Sequence, residues 1–358
     1  MCLASRFGTM NASATEPGSK LPLVALAIGD PSGISPELTA RLVTDDALAR
    51  EARLLVVGDA RVLDAGARVA GVKVALARWT PEDPAPQAGH VLYDLANLDP
   101  SQVQLAVVSE QGGRFALENF TTALRLARDG RVEAVSFTPF NKQAMRLARP
   151  GYDDEIGVIT EVLGARSDGR EFNVLGALWN ARVTSHVPFK DVAGLLGVDM
   201  IFRAAQLADR CMRGAGFDAP RIGVAALNPH AGDGGAFGRE EIDVIAPAVA
   251  KMRDSGLAAT GPLPADTIFV RARKGEFDVV LTMYHDQGQI AMKLLGFDQG
   301  VTLMGGYSVP ICTPAHGTAY DIAGRGVADL KAARNAITLA ARMARGEALA
   351  GADEKKVA

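Results

Sequence analysis

Cysteine is scarce in this 358-residue chain: Cys2, Cys211 and Cys312 are the only three, and none forms a CxxC pair. That excludes a disulfide frame or a thiolate metal centre and fits a reduced, cytoplasmic setting. Basic runs are also missing, and the formal net charge is -3, which argues against general nucleic-acid binding. No apolar stretch approaches the roughly eighteen residues of a membrane-spanning helix. The first twenty residues lack the apolar core of a secretory signal, and residues 1–20 and the closing GADEKKVA read as disordered. Neither a GxxxxGK[ST] loop nor a well-placed GxGxxG is present, so a P-loop and an ordinary Rossmann cofactor site are unsupported.

What is present is the material of a large folded core: 48% hydrophobic and 22% charged residues, enough for two domains. Short apolar runs at 23–28, 53–58, 132–139, 172–178, 221–227 and 277–284 predict buried strands. Between them lie helical patterns such as GRFALENFTTALRLARDG and MIFRAAQLADRCMRGAG. The alternation predicts an α/β protein with a mostly parallel sheet. Ser35, Pro36 and Glu37 read as an N-cap, an N1 proline and a first-turn acid. A further helix is expected over about 239–253, opening with Glu240 and Glu241, and a long final helix, LKAARNAITLAARMARG, is expected to pack back on the first half.

In such sheets ligands gather where strands end, and four of the five histidines fall at predicted strand exits: His186, His230, His285 and His316. His90, in a turn-like QAGHVL, is the incidental one. Three imidazoles from separate loops make an open metal site, with a position left for substrate or water. Imidazole suits zinc, cobalt or nickel better than magnesium. Zinc is the first expectation, with the other three as alternatives. His230 also has a plain structural reading, as part of a tight glycine-rich bend in LNPHAGDGGAFG. Both that segment and GDPSGISPE lead into a helix, where backbone N–H groups can meet an anion.

GDPSGISPEL, HVPFKDV, LNPHAGDGGAFGREEID, GPLPADT, YHDQGQIAMK and HGTAYDIAGRG occur in that order between residues 21 and 345. Together they resemble the 4-hydroxythreonine-4-phosphate dehydrogenase family of pyridoxine biosynthesis. The resemblance implies two α/β/α domains with a cleft between them, like isocitrate and isopropylmalate dehydrogenases. The first would comprise residues 21–146 plus 323–350 and the second 147–322, the latter with the metal and dimer contacts. It implies a homodimer whose active site is shared between chains, His285 coming from the partner, and oxidation of a hydroxyl β to a carboxylate followed by decarboxylation. The metal ligands would be His186, His230 and His285, and Lys293 a substrate-contacting lysine able to pair a carboxylate or protonate an enolate. Asp266 and Asp286 would orient imidazole or move a proton, unless they cap helices. The cofactor would be NAD, held by His316, Gly317, Thr318, Ala319 and Asp321, with the Asp321 acid repelling the 2′-phosphate of NADP.

The sequence also departs from the family. Where the family grips its substrate with a Gly-His-Thr-Glu segment, this chain reads PGYDDEIGVITE, and Asp153 and Asp154 would repel phosphate. A substrate-binding Asn and Arg align with Thr302 and Ile311, removing a bidentate donor. Retained histidines without these contacts resemble the terephthalate cis-dihydrodiol dehydrogenase branch, with Val309 and Ile311 against a flat ring. The expectation is therefore an unphosphorylated cis-dihydrodiol carboxylate. The alternatives are 4-hydroxythreonine-4-phosphate or 4-phospho-threonate, or a non-catalytic metal- or nucleotide-binding homologue.

Overall fold

The computed structural model describes residues 21–164 and 169–346; the expected disordered lead at 1–20 and the GADEKKVA tail lie outside them. The described strands are β1 (Leu23–Ala27), β2 (Arg53–Gly58), β3 (Ala77–Arg78), β4 (Val91–Asp94), β5 (Ala134–Phe137), β6 (Arg170–Leu175), β7 (Leu178–Arg182), β8 (Arg221–Ala225), β9 (Ala258–Leu263), β10 (Val279–Thr282), β11 (Val301–Gly305) and β12 (Ile311–Pro314). Contacts divide the chain into two α/β units, residues 21–170 with 297–345, and residues 171–296. Residues 147–164 and 297–322, expected in the second domain, lie in the first unit. The reason is packing: helix Glu155–Leu163 lies on helix Glu110–Arg128, and β12 pairs with β5.

The first unit orders its strands β3-β4-β2-β1-β5-β12-β11, parallel except where β11 meets β12. β1 and β2 are buried along their whole length, as continuous apolar strands of a covered parallel sheet should be. Phe120, Phe137 and Phe140 pack together, Phe137 and Phe140 stacked at 4.4 Å between centroids. The final helix, Lys331–Arg345, buries a stripe of alanines with Ile337 and Leu339 against β12, β5 and β11, the expected return to the first half.

The second unit orders its strands β6-β7-β10-β8-β9; β7, β10, β8 and β9 are parallel neighbours, and β6 runs antiparallel to β7. The run 172–178, expected as one strand, is instead part of a hairpin. Gly176 takes a left-handed φ of 58°, and the chain folds back so that Asn173 faces Asn180. Trp179, fully buried, anchors β7 beside Phe172 and Phe217.

Ser35 is not the cap. Helix Ser35–Leu42 begins with it, and its hydroxyl donates to the Pro139 carbonyl at 2.9 Å, a tertiary bond instead of a local one. The acid at 241 also does more than face a helix dipole. Glu241, buried at the start of Glu241–Ile245, turns back to accept N–H bonds from Leu227 (2.8 Å) and Asn228 (2.7 Å). Burial alone would raise its carboxyl, but the donors of Asn228 and Leu227 outweigh that and hold it below the ordinary range.

Candidate functional site: two rows of loops at strand ends

All four strand-exit histidines stand where the sequence places them: His186 follows β7, His230 follows β8, His285 follows β10 and His316 follows β12. β7, β10 and β8 are adjacent and parallel, so three of the imidazoles share one edge of the second unit, with His285 in the middle. Parallel neighbours lie about 4.8 Å apart, which brings consecutive loops within side-chain reach. The His186 and His285 rings accordingly approach to 5.6 Å between centroids. Asp286 takes the Nδ1 of His285 at 2.6 Å, leaving Nε2 for a ligand. Among the described residues, no three His, Cys, Asp or Glu side chains of the single chain close around one ion.

The turn that carries His230 is built against ordinary chirality. His230 (φ 52°), Ala231 (55°), Gly232 (80°), Asp233 (43°) and Gly234 (65°) form a consecutive left-handed run. For L-residues this costs about 1–2 kcal/mol each. Gly232 has a further reason: a Cβ there would stand 2.7 Å from the Glu241 carboxylate. His186 is left-handed too, at φ 53°. Strain at two candidate ligands on loops held by buried polar bonds is a mark of functional backbone. Ala231→Gly is expected to stabilise the fold by about 0.5–1 kcal/mol, read from urea unfolding. Unchanged or reduced stability would show that the turn carries no such strain.

Helix His285–Gly296 is tied to both neighbouring loops. Gln287 accepts from Met283 N at 2.7 Å and donates to the Ala226 carbonyl at 2.7 Å, next to the His230 segment. Lys293 lies on the same helix and is exposed; Asp266 is exposed in the first turn of Ala265–Arg273. The structure therefore brings together His186, His285 and Asp286. His90 is structural: its Nδ1 accepts the Leu54 N–H at 3.0 Å, and burial holds its pKa below the ordinary value.

The first unit has its own row of loops, after the adjacent strands β1, β5 and β12. Tyr320 donates to Asp30 at 2.6 Å and accepts from Asn141 at 3.0 Å, and Ile34 N donates to the Thr318 carbonyl at 3.1 Å. These bonds pin the segment His316–Asp321, in which Ala319 is left-handed at φ 45°. Its outer side is open: a Cβ at Gly317 would meet nothing within 4 Å, and Asp321 is exposed. Sequence reasoning missed Asp30, Asn141 and Tyr320, which carry no periodicity and meet only through the sheet order.

Burial pushes the Asp30 carboxyl above its ordinary 3.8, with Tyr320 and the Ser32 N–H pulling it back. A raised acid stabilises the fold while protonated: the contribution is complete below the unfolded pKa and lost as pH rises through the folded value. Asp30→Asn should therefore gain melting temperature relative to the parent protein as the buffer moves from about pH 3.5 to about pH 7. A difference that stays flat with pH would contradict the assignment.

Two α/β units with loops at the C-terminal ends of parallel strands, one row bearing imidazoles and the other an open glycine loop, define a protein of the α/β class, in which ligands bind at strand ends. Residues 50–340 match the family described as pyridoxal phosphate biosynthetic protein PdxA, and the chain belongs to that family. A Rhizobium meliloti (strain 1021) protein provisionally named 4-hydroxythreonine-4-phosphate dehydrogenase 2 is 58% identical over 326 residues, 90% of this chain and 94% of its own. The D-threonate 4-phosphate dehydrogenase of Cupriavidus necator is 35% identical over 333 residues, 90% of this chain and 99% of its own. The crystal structure of 4-hydroxythreonine-4-phosphate dehydrogenase from Klebsiella pneumoniae covers 91% of this chain and 99% of its own, with 33% identity and a TM-score of 0.78. A terephthalate 1,2-cis-dihydrodiol dehydrogenase from Burkholderia xenovorans LB400 matches at 32% identity over 90% of this chain and 98% of its own, with a TM-score of 0.62. The chain is accordingly a dehydrogenase acting on a CH–OH group.

The expected dihydrodiol substrate is corrected by these relatives, the most similar of which are named for phosphorylated acids. The structure gives the physical reason. Ile311 is fully buried in a hydrophobic cluster with Val135 and Phe137, and Val309 packs on that cluster, so the two furnish core and not a ring-binding wall. Asp154 spends its charge as a helix cap, accepting from Gly157 N at 3.2 Å. Thr302 is a ladder residue opposite Thr313. Among the described residues, no helix is long and apolar enough to cross a membrane.

Proposed function

We propose that this protein oxidises a 4-phosphorylated hydroxy acid, 4-hydroxythreonine-4-phosphate or D-threonate 4-phosphate, using NAD and a divalent metal. The carrying observation is the row of His186, His285 and His230 at the ends of three neighbouring parallel strands, in a chain whose relatives are named for those substrates. Imidazoles at these strand ends suit zinc, cobalt or nickel, and the open Gly317 face with exposed Asp321 suits a nucleotide. One chain does not close three ligands around an ion among its described residues. In this reading His285 of the partner subunit completes the set, in a homodimer. Exposed Phe189 and Leu294, at 73% and 83%, lie on the segments that carry His186 and His285 and supply an apolar face for that copy.

His186 and His230, with His285, would hold the metal and loop His316–Asp321 the NAD; the two groups would supply polarisation of the substrate hydroxyl and carboxylate oxygens and a hydride acceptor. The chain does the rest. Asp286 keeps the proton on His285 Nδ1, so that Nε2 is the ligating nitrogen. Asp266 takes the hydroxyl proton as the hydride leaves, Asp286 being engaged with His285. The product is a β-keto acid, whose carboxylate departs as carbon dioxide. Lys293 pairs with that carboxylate before it leaves and returns a proton to the carbon that carried it. Loop His316–Asp321 would hold the adenosine half, where the Asp321 acid would favour a free ribose hydroxyl over a 2′-phosphate.

The test is NADH formation by the purified, metal-loaded protein with each of the two phosphorylated acids, with their dephosphorylated counterparts, and with a cis-dihydrodiol carboxylate. A phosphorylated acid should exceed its dephosphorylated form by about a hundredfold in kcat/KM. Equal turnover with and without the phosphate would overturn the reading, and the preferred acid decides between the two names.

A further inference from the structure

We propose that Lys142 is a substrate-binding residue that meets the substrate phosphate, in place of the contacts this chain lacks at Asp153, Asp154, Thr302 and Ile311. The inference rests on the phosphorylated-acid reading proposed above. A phosphate needs a cationic donor, and the loops after β1, β5 and β12, adjacent at one end of the first unit's sheet, offer one. Across residues 28–34, 138–142 and 315–321, Lys142 is the only Lys or Arg. Arg61, at the exit of the next strand, β2, is already spent on Asp59 through bonds of 3.0 and 2.7 Å.

The backbone that carries Lys142 is held, and the side chain is not. Asn141, the residue before it, accepts from Gln143 N at 3.0 Å and Ala144 N at 3.1 Å, and donates to the Tyr320 hydroxyl at 3.0 Å. Helix Lys142–Ala148 is seated so closely on helix Glu110–Arg128 that a Cβ at Gly113 would stand 1.9 Å from the Ala144 carbonyl oxygen. The Lys142 side chain itself is 42% exposed, and its ammonium stands 3.8 Å from Glu155, beyond hydrogen-bond length. Glu155 is engaged elsewhere, accepting from the Tyr152 hydroxyl at 2.9 Å. The other acids of these segments are occupied or screened: Asp30 accepts from Tyr320 and Ser32 N, Asp154 from Gly157 N, and Asp153 is exposed to water. An ammonium drawn to a strand end without a direct bond is a point charge ready for an anion.

The experiment uses the purified, metal-loaded protein and compares kcat/KM for the preferred phosphorylated acid with that for its dephosphorylated counterpart, with KM for NAD and melting temperature in parallel. Lys142→Met should lower kcat/KM for the phosphorylated acid by about thirtyfold, through KM, and leave the dephosphorylated acid and KM for NAD within about twofold of the parent. Lys142→Arg, which keeps the charge, should recover most of the loss. Arg325→Met, at the next cation past the β12 loop, should leave the preference for phosphate unchanged. The melting temperature of Lys142→Met should stay close to the parent's, because a 3.8 Å pairing of a part-exposed ammonium contributes little.

A Lys142→Met variant that keeps the parent preference for phosphate would overturn the inference while leaving the phosphorylated-acid reading intact. Equal losses with both forms of the acid would do the same, showing that Lys142 serves something common to both. A loss confined to KM for NAD would also overturn it, assigning the ammonium to the pyrophosphate of the nucleotide. If the parent protein itself turns over the two forms equally, the phosphorylated-acid reading falls, and this inference with it.

Discussion

His285→Ala is expected to lower kcat/KM by about a thousandfold, equivalent to about 4 kcal/mol of transition-state stabilisation. His285 follows the central strand of three, β10 between β7 and β8, so its loss removes the middle member of the row and not a terminal one. Its Nδ1 bond to Asp286 at 2.6 Å shows which nitrogen remains for a ligand. Asp286→Asn should cost less, about tenfold, because it leaves the imidazole in place and only loosens its orientation. Metal content measured alongside the kinetics separates lost ligation from lost folding. Activity within a few-fold of the parent in the His285 variant would sink the proposed chemistry outright.

Gly288→Ala carries the largest expected stability effect. A Cβ at that position would stand 2.1 Å from Asn180 Oδ1, far inside contact distance. Asn180 cannot move aside: it is fully buried, and its Nδ2 is bonded to the carbonyls of Ala181 and Val280 and to Thr282 Oγ1. Helix His285–Gly296 must therefore shift away from β7, at a cost of about 1–3 kcal/mol. Because His285 opens that helix, the shift also separates it from His186. Thermal unfolding should move down by several degrees, and turnover should fall further than the stability loss explains. A variant with parent stability and full activity would show that the helix does not need this close approach.

Much of the fold was legible from residue order alone. The runs at 23–28, 53–58, 132–139, 221–227 and 277–284 each contain a strand, because a covered parallel strand must be apolar along its length. Shorter or mixed strands escaped: β3 has two residues, and β9 and β12 carry glycine, proline and threonine in place of an apolar run. The hairpin at Gly176 was invisible because the run 172–178 reads as one apolar strand, while the second arm, Leu178–Arg182, carries Asn180 and Arg182 and shows no apolar run. Alignment to a family pattern misled at Ile311, since a matched position shows what stands there and not whether it is buried.

The sequence by itself determined the α/β class, the strand-exit positions of His186, His230, His285 and His316, and the family of the chain. These follow from local patterns: apolar runs, capping residues and imidazoles beside glycines. Only the tertiary structure decided which exits are neighbours, that Ser35 bonds across to Pro139, and that Tyr320 meets Asp30. Strand order and burial arise from contacts between residues far apart in the chain, as in the 290 residues separating Asp30 from Tyr320, and no local pattern encodes them.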